Sequence, residues 1–116
     1  MALLTVQEIS KAGVADLSTA LTAAASGGDS VVASSGIVIV VENADASPHT
    51  LTLTKPAASA ECGSLGELVV ADITLVVAAA DIGMVTIPLG YAASGNFTWT
   101  YDAVTSVTVG VFSLAP

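Results

Sequence analysis

The chain has very little of the chemistry from which active sites are built. Its 116 residues include two lysines, no arginine, one histidine and one cysteine. Most enzyme mechanisms need a positioned acid, base or nucleophile, or a cation that stabilises developing charge. We therefore predict that the protein is not an enzyme, with no catalytic residue, no cofactor and no metal site, and that its role is structural or binding.

Positive charge is also scarce, and the formal net charge is −8. Nucleic-acid binding depends on contacts between basic side chains and phosphates, so we expect neither DNA nor RNA as a partner. The single cysteine, Cys62, allows no internal disulfide and is expected to be a small apolar filler. The N-terminus has no basic segment of the kind that opens a secretory signal. Both features predict synthesis in a cytoplasm.

Long apolar runs are missing as well. The best candidate for a membrane span, Leu68 to Ala80, is interrupted by Asp72, and it is shorter than the roughly 20 residues that a helix needs to cross a bilayer. We therefore expect no membrane partner.

What is present is a large excess of small and β-branched apolar residues. Apolar residues make up 53% of the chain and aromatic residues 4%, and the mean hydropathy is +0.84. Soluble domains usually contain about 45–50% apolar residues. An excess of this kind is typical of proteins whose surface is buried against other subunits.

The apolar residues follow strand patterns. After a break at Ser26–Asp29, short strands recur between turns, and together they predict an all-β fold, an antiparallel β-sandwich or jelly roll of about seven or eight short strands. We assign this domain to residues 27–116 and an N-terminal arm with room for one short helix to residues 1–26. One continuous apolar strand is expected to be buried on both faces: Ile37, Val38, Ile39, Val40 and Val41. It is predicted to form a long-looped hairpin with the alternating strand 49–54.

Three aromatic residues, Phe97, Trp99 and Tyr101, share one face of a later strand. We interpret them as a core ladder, while an exposed ladder that stacks on sugars remains the alternative. The other candidates for chemistry are weaker. His49 stands alone, the 63–66 segment is interpreted as a turn rather than a serine loop, and the scattered carboxylates are interpreted as solvated turn charges, with a calcium ion held between loops as the alternative.

The last third of the chain carries the most specific pattern. Ile87-Pro-Leu-Gly90, a short turn, and then Phe97-Thr-Trp-Thr-Tyr-Asp-Ala-Val-Thr-Ser-Val-Thr-Val109 resemble small virion proteins encoded near the major capsid gene of tailed bacteriophages. The segments 37–54 and 5–13 are similar to the same proteins.

This resemblance implies a capsid decoration (cement) or minor head protein on the outside of an HK97-fold shell. Its implied partners are the major capsid protein and further copies of itself, with a homotrimer favoured. We expect the arm to contact a neighbour through four apolar residues: Leu3, Leu4, Val6 and Ile9. The alternatives are a tail or other minor virion β-domain and a carbohydrate-binding β-sandwich module.

Overall fold

The computed structural model describes residues 2–55, 59–61, 67–69 and 71–114. One helical turn, α1 (Leu17–Ala20), and one 3-10 turn (Leu89–Tyr91) accompany the strands in this part of the chain. The strands are β1 (Ala2–Leu4), β2 (Val6–Ile9), β3 (Thr22–Ala23), β4 (Asp29–Val32), β5 (Val38–Asn43), β6 (His49–Leu53), β7 (Ser59–Glu61), β8 (Glu67–Val69), β9 (Ile73–Val77), β10 (Asp81–Thr86), β11 (Asn96–Tyr101) and β12 (Val107–Leu114).

Ten of these strands form two sheets, which confirms the predicted all-β, sandwich-like fold. Sheet A has the order β1-β4-β11-β6-β9, and sheet B has the order β10-β5-β12-β2 with β3 also paired to β12. β7 and β8 pair only with each other. The sheets are mixed rather than purely antiparallel, because β1 runs parallel to β4 and β2 runs parallel to β12. The strand count is also higher than predicted, since the N-terminal strands are too short to show a period in the sequence.

The predicted hairpin between the strands at 37–41 and 49–54 is wrong. β5 lies in sheet B between β10 and β12, whereas β6 lies in sheet A between β11 and β9. The connection therefore crosses from one layer to the other, which lets Ile39 and Leu51 enter the same core from opposite sides. The buried Asn43 side chain holds this crossing, because its amide donates to the carbonyls of Ser47 at 2.8 Å and of Val77 in β9 at 3.1 Å.

The N-terminal segment, predicted as an arm, contributes strands to both sheets of its own chain. β1 pairs with β4 at the edge of sheet A, and after Thr5 the chain enters sheet B as β2, beside β12. The single helical turn and β3 follow, and β3 pairs with β12 just beyond β2. Residues 2–23 thus add an edge strand to sheet A and two strands to sheet B.

The core lies between the two sheets. Its buried side chains come from both layers: Val31, Leu51, Leu53, Val77, Phe97 and Trp99 from sheet A, and Ile39, Val41, Val107, Val109 and Val111 from sheet B. β12 contributes three valines to this core because they alternate along the strand, and every second residue of a strand faces the same side. Ile37 precedes β5 and is buried in the same core.

Candidate functional site

The outer faces of the two sheets differ in chemistry. On sheet A, most outward positions of three neighbouring strands are threonines: Thr50 and Thr52 on β6, Thr74 on β9, and Thr98 and Thr100 on β11. The exception is Val76 on β9, which pairs with Thr50 and is 65% exposed. The threonines are exposed or half-exposed. Threonine combines a high strand propensity with a hydroxyl that water can solvate. This face therefore needs no partner to cover it.

The outer face of sheet B is apolar. Val38 and Val40 on β5 point away from the main core and pack instead with Phe112 of β12 in a second cluster. Met84 of β10 lies beside Val40 in the antiparallel register, and 66% of its surface is exposed. The strand at 37–41 therefore carries apolar side chains on both of its faces. Both faces of sheet B must be covered to keep these side chains away from water.

Part of that cover comes from the chain itself. Leu21 is buried against Val40 and Phe112, and it fits a notch left by Gly110 in β12. A Cβ atom at Gly110 would lie 2.7 Å from Leu21 Cδ2, so a side chain at position 110 would have to push the Leu21 side chain aside. Gln7 Nε2 donates to the Ala20 carbonyl at 2.8 Å, which fastens the covering segment to β2.

The cover is incomplete, and an open groove remains beside it. The groove has a volume of about 320 Å³. Its lining is almost entirely apolar: Ile9, Val14, Leu17, Val38, Val40, Met84 and Phe112. Val14 and Leu17 are 38% and 37% exposed at its border. We call this surface the sheet B groove, and it is the strongest candidate for a docking site in the described residues.

The residues predicted as arm contacts have different surroundings. Leu4 and Val6 pack against the main core of their own chain, Ile9 lines the sheet B groove, and Leu3 is 62% exposed at the edge of sheet A. Of these four residues, Leu3 is thus the most exposed, while Leu4, Val6 and Ile9 are half-buried.

The aromatic residues Phe97 and Trp99 are 0% and 1% exposed and belong to the main core. Rings at these positions cannot stack on a sugar at the surface. Tyr101 is half-buried, and its hydroxyl accepts from Trp99 Nε1 at 2.8 Å and donates to Asp29 Oδ2 at 2.7 Å. The side chains of Trp99, Tyr101 and Asp29 are thus linked by two consecutive hydrogen bonds.

Asp29 is the buried carboxyl group of this network. It is 0% exposed, and its Oδ2 also accepts from the backbone N–H of Ala25 at 3.2 Å. Burial is the main cause that raises the pKa of Tyr101 far above its ordinary value, and the hydrogen bond to Asp29 adds to it. The phenol consequently stays protonated and keeps donating, which indicates a structural network rather than an acid–base site.

His49 stands alone among the candidate residues in the sequence, and the fold brings two carboxylates to it. Nε2 lies 2.8 Å from Asp45 Oδ2, and Nδ1 lies 3.2 Å from Asp102 Oδ1. The ring is 7% exposed. Because both ring nitrogens face carboxylate oxygens, both bonds form only when the imidazole is protonated and donates twice. His49 thus joins the crossing loop at 44–48 to the turn that follows β11.

The pKa shifts follow from these contacts. The hydrogen bond to Asp45 is the largest cause that raises the pKa of His49 above 6.5, while burial opposes it. The bond to His49 lowers the pKa of Asp45, and the backbone N–H of Thr50 lowers that of Asp102. A raised histidine pKa stabilises the fold below pH 6.5 and loses its effect as the pH rises through the folded value. The lowered carboxyl pKa values stabilise above 3.8 and lose their effect as the pH falls.

Other kinds of site are not evident in the residues that the structure covers. Among them, no group of three or more histidine, cysteine or acidic side chains is arranged to hold a metal ion. In the same residues, no helix is both long and apolar enough to cross a membrane. Cys62 and the predicted turn at 63–66 lie outside the described residues.

Comparisons of the chain with protein-family models, with curated protein sequences and with solved structures gave no significant match.

The sequence contained one signal that pointed to the groove. The apolar strand at 37–41 was expected to be buried on both faces, and all of its residues except the half-buried Val38 are buried. A strand of this kind in an outer sheet needs a second covering layer. The pattern did not show which residues would lie around this strand. Met84 on one side and Val14 and Leu17 on the other line the groove, and they are distant from the strand in sequence.

Proposed function

We propose that this protein is a virion structural protein that decorates the outside of an HK97-fold phage capsid and stabilises the shell through subunit interfaces. The observation that carries the proposal is the contrast between the two outer faces, with the apolar sheet B groove on one side and the threonine face on the other. The resemblance of the last third of the chain to phage virion proteins supplies the kind of partner.

The contrast supports a simple arrangement on the shell. The sheet B face would lie against capsid subunits and the threonine face would lie in water, so the apolar surface is buried only after docking. Each contact is small, but repetition over a lattice of subunits multiplies its effect through avidity. Such a layer would resist outward displacement of neighbouring capsid subunits. The protein would be made in the host cytoplasm and would reside on the capsid surface.

Copy number in purified virions tests this function. Quantitative mass spectrometry of particles of the phage that encodes this chain would count it against the major capsid protein. About one copy per capsid subunit is the result expected of a shell-covering protein. A few copies per particle would instead place it in the tail or at a vertex, and absence from the particle would refute the virion role.

We further propose that the copies on the shell form trimers in which the N-terminal strands are exchanged. β1 has three residues and sits at a sheet edge, so pairing with β4 of a neighbour would cost little. A variant with Cys62→Ser, Leu3→Cys and Ser30→Cys tests the exchange, because Leu3 and Ser30 are paired neighbours. Oxidation should give covalent oligomers on particles. Only intrachain disulfides would show that each chain keeps its own strand.

A further inference from the structure

We infer that the sheet B groove binds an apolar segment of another protein that carries lysine or arginine on its flanks. The inference deepens the proposed function and rests on it for the identity of the partner, which would then be the capsid subunit. The chemistry of the segment, in contrast, follows from the groove and the charges at its border.

The apolar part of this chemistry comes from the lining. Val40 and Phe112 form the floor of the groove and are 5% and 1% exposed, whereas Met84 on its wall is 66% exposed. The groove is therefore a shallow cleft with a buried floor and an exposed wall. A few apolar side chains of a partner could fill it. Burying the exposed part of Met84 against a partner would remove apolar surface from water, which favours binding.

The charged part comes from the residues next to the lining. Asp16 directly precedes Leu17 and is exposed, and Glu42 follows Val40 on the same face of β5. Lys11, two residues from Ile9, is the one basic residue this close in sequence to the lining, and the other lysine, Lys55, lies beside threonines of sheet A. The two acidic side chains next to the lining outnumber this lysine, so complementary charges on a partner would be basic.

The same charges argue against a second copy as the occupant. In a two-fold dimer through this face, both chains would bring the same acidic border to the interface, so Asp16 and Glu42 would each be present twice. Each chain also carries a net charge of −8. Like charges brought together at an interface disfavour association. An anionic membrane surface is disfavoured for the same reason.

A peptide-binding experiment tests the inference with the full chain. The probe is a fluorescein-labelled peptide in which Leu-Ile-Leu is flanked on both sides by two lysines. A second peptide has the same apolar centre flanked by glutamates, and a third has the lysines around Ser-Gly-Ser. Fluorescence polarisation should show binding of the first peptide alone, weakening as salt is added.

Two matched variants locate the site. Met84→Lys and Val76→Lys add the same charge at residues that are 66% and 65% exposed, one on the groove and one on the outer side of sheet A. We expect Met84→Lys to weaken binding of the lysine-flanked peptide by about tenfold or more, which corresponds to roughly 1.4 kcal/mol, because it removes apolar surface and repels the lysines, and Val76→Lys to leave binding nearly unchanged. Asp16→Asn should weaken it by a few-fold at low salt. Tryptophan fluorescence of each variant checks that the core is intact.

Several outcomes would overturn the inference. These are equal binding of the lysine- and glutamate-flanked peptides, equal effects of Met84→Lys and Val76→Lys, binding to anionic vesicles but to no peptide, and a dimer in sedimentation that Met84→Lys dissociates. Binding to purified capsids separates this inference from the proposed function. Capsid binding that Met84→Lys does not affect would refute the groove alone, whereas groove-dependent peptide binding without capsid binding would refute the capsid role alone.

Discussion

Gly28 is the position at which one added methyl group should do the most damage. Its φ is +104°, a conformation that side chains rarely adopt, and a Cβ atom there would overlap the carbonyl oxygen of Trp99 in the neighbouring strand. Gly27 is its natural control, since its φ is +90° but a Cβ atom would meet nothing within 4 Å. The pair Gly28→Ala and Gly27→Ala thus separates the overlap from the backbone conformation.

The expected magnitudes follow from that geometry. Both substitutions place alanine at positive φ, which costs about 1–2 kcal/mol, and both recover about 0.4–1 kcal/mol because alanine restricts the unfolded chain. Gly27→Ala should therefore destabilise by about 1 kcal/mol. Gly28→Ala must also displace β11 at Trp99 from its partner Asp29. Overpacking adds about 1–3 kcal/mol and a weakened hydrogen bond about 1 kcal/mol, so we expect a total loss of about 3–5 kcal/mol.

Urea unfolding followed by tryptophan fluorescence measures both losses. Trp99 is the only tryptophan and is 1% exposed, so its emission shifts to the red when the core opens. The free energy of unfolding of a domain of this size is about 5–15 kcal/mol. Gly28→Ala should remove a large part of it. If the two variants unfolded at the same urea concentration, the close approach of Gly28 to the Trp99 carbonyl would not exist in solution.

Three further predictions concern the polar network, the histidine and the strand glycine. Tyr101→Phe leaves the Trp99 N–H and Asp29 short of a partner and should cost about 2–3 kcal/mol in urea unfolding; a loss below 1 kcal/mol would contradict the network. The urea midpoint of the native chain should fall as the pH rises above 6.5, and His49→Gln should remove that slope; an unchanged slope in the variant would exclude His49 as its source. Gly110→Ala should destabilise by about 1–3 kcal/mol by displacing Leu21, an effect that the double variant with Leu21→Ala should reduce, and additive losses would contradict the notch.

The strands were predictable where their periodicity is strong. At 107–112 every second residue is a valine, and Val107, Val109 and Val111 are all buried in the core. The interpretation of the aromatic ladder agrees with the burial of Phe97 and Trp99. In such strands, one apolar face decides which side chains turn inward, and that information is local.

The site was only partly predictable. The two-sided burial of the apolar strand at 37–41 indicated a second covering layer, but the hairpin assigned to it was wrong because the loop at 44–48 crosses between the sheets. Local patterns do not state which strands pair. Likewise, nothing in the spacing of Asp45 and Asp102, 57 residues apart in sequence, indicated that both would reach one imidazole.

By itself, the sequence determined the class of fold, the shortage of catalytic groups, the acidic charge and the alternating faces, because each depends on composition or on a two-residue period. Only the tertiary structure decided that β1 and β2 join opposite sheets, that a threonine face lies opposite an apolar groove, and that Gly110 receives Leu21. These features depend on contacts between residues distant in the chain. Such contacts are selected by how the whole core packs, which no local pattern specifies.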